Sequence, residues 1–205
     1  MKQISIISGL NLGLLSLFSF LQPVQSITLE LLPQTQNVAV GDSVIVDVQI
    51  SELGDMESPS VGGFDFDLNY DPNVLTFDSL TFSNLINLSN FDIPNKVDPS
   101  TPGIVSFFNL SILDTPEDLN TEQPSSFSLA TLDFTANQVT PNSLLSLTII
   151  SLSDENFDPL DSVIPEDAIV SVESAKTSVP ESDFNLITWI IFLGLTSIYC
   201  KKVST

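Results

Sequence analysis

Seven consecutive residues set the class of this chain. In Phe64-Asp65-Phe66-Asp67-Leu68-Asn69-Tyr70 every even position is apolar and every odd position polar. Strict period two puts alternate side chains on opposite faces of an extended strand, one face buried and the other wet. Looser versions of the pattern recur in Ile27–Leu31, Val38–Ile50 (interrupted at Gly41-Asp42), Val74–Phe82, Gly103–Leu110, Phe127–Ala136, Leu144–Leu152 and Ala168–Val172. No segment of residues 27–173 sustains a 3.6-residue apolar period with end caps. Helical and α/β domains are excluded.

Turn chemistry separates these segments. Asp71-Pro72-Asn73, Asp98–Gly103 and Thr140-Pro141-Asn142 predict chain reversals, because proline presets φ and Asn and Asp tolerate turn geometry. Gly41-Asp42 predicts a tight entry to the strand that follows, glycine taking a conformation other residues avoid. About nine short strands so punctuated, with no repeat of roughly 20–50 residues, predict an all-β jelly-roll β-sandwich rather than a propeller or solenoid. A stretch of that length buries roughly two-thirds of its surface. Phe64, Phe66, Phe107, Phe127 and Phe134 are its expected central pieces.

Charge narrows the chemistry. Residues 27–183 carry all 26 Asp and Glu of the chain against Lys96 and Lys176 alone, a net charge of −24. Such a surface repels nucleic acid, whose phosphates call for Lys and Arg. The sequence contains no histidine, and its single cysteine, Cys200, stands beside Lys201 and Lys202. Histidine-based nucleophile triads, His-ligated zinc and internal disulfides are therefore excluded. Carboxylates, hydroxyls and amides remain, which suit calcium, sugar hydroxyls or a protein surface.

The two ends read as addresses. Lys2 is followed by an uncharged apolar run from Ile4 to Leu21 and then by Gln22-Pro23-Val24-Gln25-Ser26, with small residues at the positions a signal peptidase reads. Residues 1–26 are expected to be a signal peptide, cut after Ser26. Residues 184–200 form a second apolar run, at the lower limit of membrane-spanning length, and Lys201 and Lys202 behind it fit a cytoplasmic end. The expected order is a linker over 174–183, a transmembrane helix over 184–200 and a basic tail over 201–205. Val179-Pro180-Glu181 with this helix and tail resembles the PEP-CTERM sorting signal of exported bacterial proteins, although Ser182 replaces the second proline. That resemblance implies a membrane sorting protease of exosortase type and a place in the cell envelope.

The central segment resembles a family too. Val40-Gly41-Asp42-Ser43-Val44-Ile45-Val46-Asp47-Val48, then Gly62 to Leu75 with Tyr70-Asp71-Pro72-Asn73-Val74-Leu75, look like the opening of a cohesin domain. Phe127–Phe134 resembles a later strand of that family, and the acidic loop and strand from Leu152 to Val172 its ending. The resemblance implies a non-catalytic module that grips a dockerin, a calcium-loaded helical protein, through the sheet face carrying the strand before Tyr-Asp-Pro. Aligned on that element, a partner-contacting aspartate of the family falls on Asp65, and a neighbouring asparagine on Gly63. Asp67 and Asn69 share the wet face with Asp65 and complete the expected partner-binding row.

The alternative reading is a polysaccharide-binding module serving extracellular polysaccharide handling. Sugar sites stack rings on exposed Trp or Tyr. Residues 27–183 hold no Trp, and their single tyrosine, Tyr70, is turned inward by the alternation. Asp154, Glu155, Asp158 and Asp161 crowd one loop as a calcium site would, without the spacing or glycine of an EF-hand. No other cofactor is expected. A two-carboxylate glycosidase is set aside, since among 26 acids some pair meets the required spacing by accident and a small sandwich lacks a deep cleft. Asn87-Leu88-Ser89 and Asn109-Leu110-Ser111 match the glycosylation triplet, a coincidence if the bacterial origin that the tail's resemblance implies holds. At this charge the partner should be basic or bridged by divalent cations.

Overall fold

The structure is a computed structural model and describes residues 26–89, 96–160 and 163–175. Eleven strands and one short helix follow in the order β1 (Thr28–Pro33), β2 (Asn37–Ala39), β3 (Ser43–Ser51), β4 (Val61–Asn69), β5 (Leu75–Phe82), β6 (Lys96–Asp98), β7 (Ile104–Leu110), α1 (Pro116–Glu122), β8 (Phe127–Ala136), β9 (Thr140–Asp154), β10 (Pro165–Glu166) and β11 (Ala168–Glu173). They form two sheets, β10-β1-β3-β8-β5 and β2-β11-β9-β4-β7-β6. Apart from the β6–β7 hairpin, each strand is followed in the chain by a strand of the other sheet, so each sheet contributes one apolar face to a shared interior.

The alternating segments are the strands. Their even or odd apolar positions line the interior, where Phe66, Leu68, Val105, Leu132 and Phe134 are fully buried. All five expected core phenylalanines are buried, each stabilising the fold by about 1.5–3 kcal/mol through apolar burial. Phe64 stacks on Phe66 at 4.8 Å between ring centroids, and Phe107 meets Phe66 edge-on at 5.9 Å. Tyr70 is turned inward as its parity predicts, its ring 5.2 Å from that of Phe134 on the opposite sheet. Gly41 takes φ +95° in the turn before β3, where Asp42 closes a reciprocal pair with Ala39.

Three features depart from the sequence reading. β6 and β10 add to the nine expected strands; at three and two residues they are too short for any period to show. α1 carries Thr115 as N-cap, with Asp118 completing a capping box and Pro116 opening the first turn. It buries Leu119 alone, so it has no apolar stripe to betray it. The reversal expected at Thr140-Pro141-Asn142 falls at residues 137–139 instead. Pro141 lies inside β9, where the register with β11 slips between Val170 and Val172. A bulge leaves one residue unpaired, and proline, which has no N–H to donate, is tolerated there.

The segments read as signal peptide (but for Ser26), sorting element (Val179, Pro180, Glu181), transmembrane helix and basic tail lie outside the described residues, as does Asp161. Among the described residues no helix is long and apolar enough to cross a membrane.

Candidate functional site

The outer faces of the two sheets differ in kind. On the five-stranded sheet the three aspartates of β3, β5 and β8 are engaged by neighbouring hydrogen-bond donors. Ser43 Oγ donates to Asp133, Thr131 Oγ1 and Gln34 Nε2 donate to Asp47, and Thr135 Oγ1 donates to Asp78 at 2.7 Å. Among large apolar side chains of its strands Leu32 alone is exposed, at 39%. The centre of this face is thus occupied by its own hydrogen bonds and presents little apolar surface.

The six-stranded sheet presents apolar side chains to solvent. Leu144 on β9 and Ile169 on β11 are direct cross-strand partners, 54% and 52% exposed, and Ile150 is 58% exposed. Ile150 faces outward because β9 bulges: Asp65 pairs with Ser151 and Phe66 with Ile149, leaving Ile150 as the extra residue. Half-buried Phe108 and Leu110 on β7 continue the apolar rim on the other side of β4.

Between these rims runs the polar row read from the alternation. Asp65, Asp67 and Asn69 are all half-exposed on β4, which pairs with β9 on one side and β7 on the other. Ser106 Oγ donates to Asp67, and Asn69 Nδ2 donates to Thr148 Oγ1 at 3.3 Å. Register across β4, β7 and β6 sets Asp65 level with Phe108 and Lys96, and Asp67 level with Ser106 and Asp98. A shallow depression of about 340 Å³ opens here, lined by Asp65, Asp67, Lys96, Asp98, Phe108 and Ile150 among others.

The electrostatics of this depression are mixed. Burial raises the Asp65 carboxyl above its ordinary 3.8, Asp67 beside it adds repulsion, and Lys96 opposes both. Hydrogen bonding from Ser100, then the Lys96 ammonium at 3.0 Å, holds Asp98 down to about 2. Lys96, Ser106, Phe108, Ile150, Leu144 and Ile169 were not legible as site residues. The signals available were the lone cation of an acidic domain and the apolar doublet Ile149-Ile150 breaking an alternating strand.

Gly63 stands on the same face, opposite Leu110. A Cβ built on it would lie 2.4 Å from Leu110 Cδ1, so the leucine side chain covers the position where the resemblance sets an asparagine. The loop read as a calcium site is organised otherwise. Asp154 Oδ1 accepts from the N–H groups of Asn156 and Asp158 at 2.8 and 2.9 Å. Glu155 turns inward, 4% exposed, and accepts from Ser60 N, Asn156 Nδ2 and Asn120 Nδ2. Among the described residues no three His, Cys, Asp or Glu side chains are grouped to hold a metal ion.

The family model of the cohesin domain matches residues 29–172, the whole of the sandwich but its first and last residues. The chain belongs to the cohesin domain family. This cohesin domain superposes on the CaCohA2 cohesin of Clostridium acetobutylicum, solved in complex with a dockerin, with a TM-score of 0.56 and 23% identity over 72% of this chain and 100% of that one. The seventh ScaB type I cohesin of Pseudobacteroides cellulosolvens gives 0.57 and 18% over 75% and 96%. A type I cohesin from a cohesin–dockerin complex of Clostridium thermocellum gives 0.56 and 15% over 71% and 99%. At these identities the likeness is one of fold. No curated protein sequence is similar to this chain.

Proposed function

We propose that this cohesin domain is an exported, envelope-associated, non-catalytic binding module that grips a dockerin-like protein through the outer face of its six-stranded sheet. The observation that carries the reading is the row Asp65, Asp67 and Asn69 set between exposed Leu144, Ile150 and Ile169 on one side and Phe108 and Leu110 on the other. A polar row framed by apolar rims on a rigid sheet has the makeup of a protein interface, with desolvated contacts flanking a few orienting hydrogen bonds. The dockerin complexes of related cohesins support the choice of partner. Polysaccharide binding has less support, because the tyrosine is turned inward onto Phe134 and the face offers a half-buried phenylalanine in place of a sugar platform.

Export and anchoring rest on the sequence of residues 1–26 and 174–205, and on Val179-Pro180-Glu181 as the element an exosortase-type protease would read. The test is titration calorimetry of the full chain in nanodiscs against calcium-loaded dockerins, repeated with chelator and with Asp65→Ala and Ile150→Ser. Binding that needs calcium and weakens in both variants upholds the reading. Binding that persists in both variants moves the interface off this face.

A further inference from the structure

Three non-glycine residues of the described chain have left-handed backbone: Glu52 (φ 65°), Met56 (φ 60°) and Phe157 (φ 64°). All three lie in two loops at one end of the sandwich. One loop joins β3 to β4, the other follows β9, and the strands they flank meet where Val61 pairs with Asp154. A bulky side chain in this conformation is strained and persists only where its surroundings fix it. Two of the three are large apolar side chains that face solvent, Met56 at 59% and Phe157 at 51% exposure.

The surroundings do fix them. Met56 N–H donates to the Gln123 carbonyl at 3.2 Å, and Phe157 N–H to the Asp154 carbonyl at 3.0 Å. Buried Glu155 ties the second loop to Ser60 of the first and to Asn120 of α1. Exposed Ile112 and Leu113, at 55% and 53%, lie just before the N-cap of that helix. Backbone hydrogen bonds thus hold Met56 and Phe157 outward, and Ile112 and Leu113 are exposed in the loop that enters α1 at the same end. Rigid loops with solvent-facing apolar groups mark interaction sites.

Charge selects the occupant. Asp55, Glu57 and Asp158 are exposed in these loops and Glu117 in the first turn of α1, and the one lysine or arginine among the described residues, Lys96, is on β6 instead. A second copy of this acidic chain, or an anionic bilayer, would be repelled. We propose that this loop end is a second docking surface, separate from the sheet face, and that it takes a basic amphipathic segment of a protein partner. Its apolar side would cover Met56 and Phe157 while its Lys or Arg residues meet the surrounding acids.

The test uses the full chain in zwitterionic nanodiscs and a fluorescently labelled Leu/Lys amphipathic helix, with a scrambled peptide of the same composition and a Leu/Glu counterpart as controls. The amphipathic Leu/Lys peptide should bind at least tenfold more tightly than either control, and more weakly as salt rises. Phe157→Gly and Met56→Gly should each weaken it about tenfold while leaving the melting temperature unchanged or raised, because glycine accepts the left-handed backbone. Ile150→Ser on the sheet face should leave it unaltered, which separates this surface from the proposed dockerin face. Equal binding of the scrambled peptide, or undiminished binding by both loop variants, would overturn the proposal. Loop variants that instead release the domain from added zwitterionic vesicles would overturn it in favour of a lipid surface.

Discussion

Gln123 pairs with both backbone groups of Val61, its Oε1 accepting from the N–H at 2.6 Å and its Nε2 donating to the carbonyl at 2.8 Å. The same Nε2 donates to the Leu85 carbonyl at 2.8 Å. A side-chain amide, 1% exposed, thereby serves as a strand partner at the start of β4 and ties that strand to the loops after β5 and α1. Gln123→Leu would keep the volume and leave three backbone groups without their partner. Each unsatisfied buried group costs about 1–3 kcal/mol, so urea denaturation should show a loss of about 3 kcal/mol or more. A loss near zero would mean that water replaces the amide.

Glu155 gives the fold an acid-sensitive latch. Burial pushes its carboxyl upward, but hydrogen bonds from Ser58, the Ser60 N–H, its own N–H and Asn120 outweigh that and leave it below its ordinary 4.5. A carboxyl depressed in the folded state stabilises the fold fully above its unfolded value, and that contribution disappears as pH falls from about 4.5 through the folded value. Glu155→Gln should therefore lower stability at pH 7 and flatten the decline in melting temperature below pH 5. An unchanged slope would assign the acid sensitivity elsewhere, with Asp114 next in line. There burial again pushes upward and hydrogen bonds from Ser111, Ser89 and Leu88 prevail.

The Asp65 carboxyl has the opposite sign. Raised by burial and by Asp67, it favours folding only below its ordinary 3.8, and that advantage is lost as pH rises through its folded value. At neutral pH its charge is a small burden on the domain, retained on the face proposed to bind. Asp65→Asn should raise the melting temperature slightly at pH 7 and leave it unaltered near pH 3. The proposed dockerin binding should weaken by about tenfold, since asparagine keeps the shape of the side chain and removes its interfacial charge. A variant that gained stability and kept full affinity would remove Asp65 from the interface.

What the sequence revealed follows from where burial is one-sided. Phe64–Asn69 alternates because its two faces meet different surroundings, and the same contrast put Asp65, Asp67 and Asn69 outside and Tyr70 inside. Lys96–Asp98 joins the sheet edge by pairing with β7, a long-range event that a three-residue segment cannot announce. Ile150 reached the surface through a bulge, which depends on two strands at once. Glu155 was read with the loop carboxylates, but whether an acid faces solvent or an interior network is decided by Ser60 and Asn120, distant in sequence.

Ser143 tests the core from the other side. Its hydroxyl, on an inward position of β9, is 2% exposed and has no hydrogen-bond partner among the described residues. Burying a hydroxyl without a partner is unfavourable, so Ser143→Ala should stabilise the domain by about 0.5–1 kcal/mol in urea denaturation. A destabilised variant would reveal a buried water bound to that oxygen.

Gly63 and Leu110 form a coupled pair on the candidate face, and the coupling can be measured. The resemblance to cohesins sets an asparagine at Gly63, where a new Cβ would lie 2.4 Å from Leu110 Cδ1 and 3.3 Å from the Asn109 carbonyl oxygen. The nearer obstacle is the far end of a flexible side chain. Gly63→Asn alone should destabilise the domain by about 1–3 kcal/mol, the cost typical of overpacking. Leu110→Ala in the same chain should restore at least half of that loss, a coupling of about 1 kcal/mol between residues in contact. If the double variant is no more stable than the sum of the single ones predicts, the obstacle is the backbone at Asn109 instead. Glycine at position 63 would then be a requirement of strand pairing, and Leu110 a separate apolar addition to the rim.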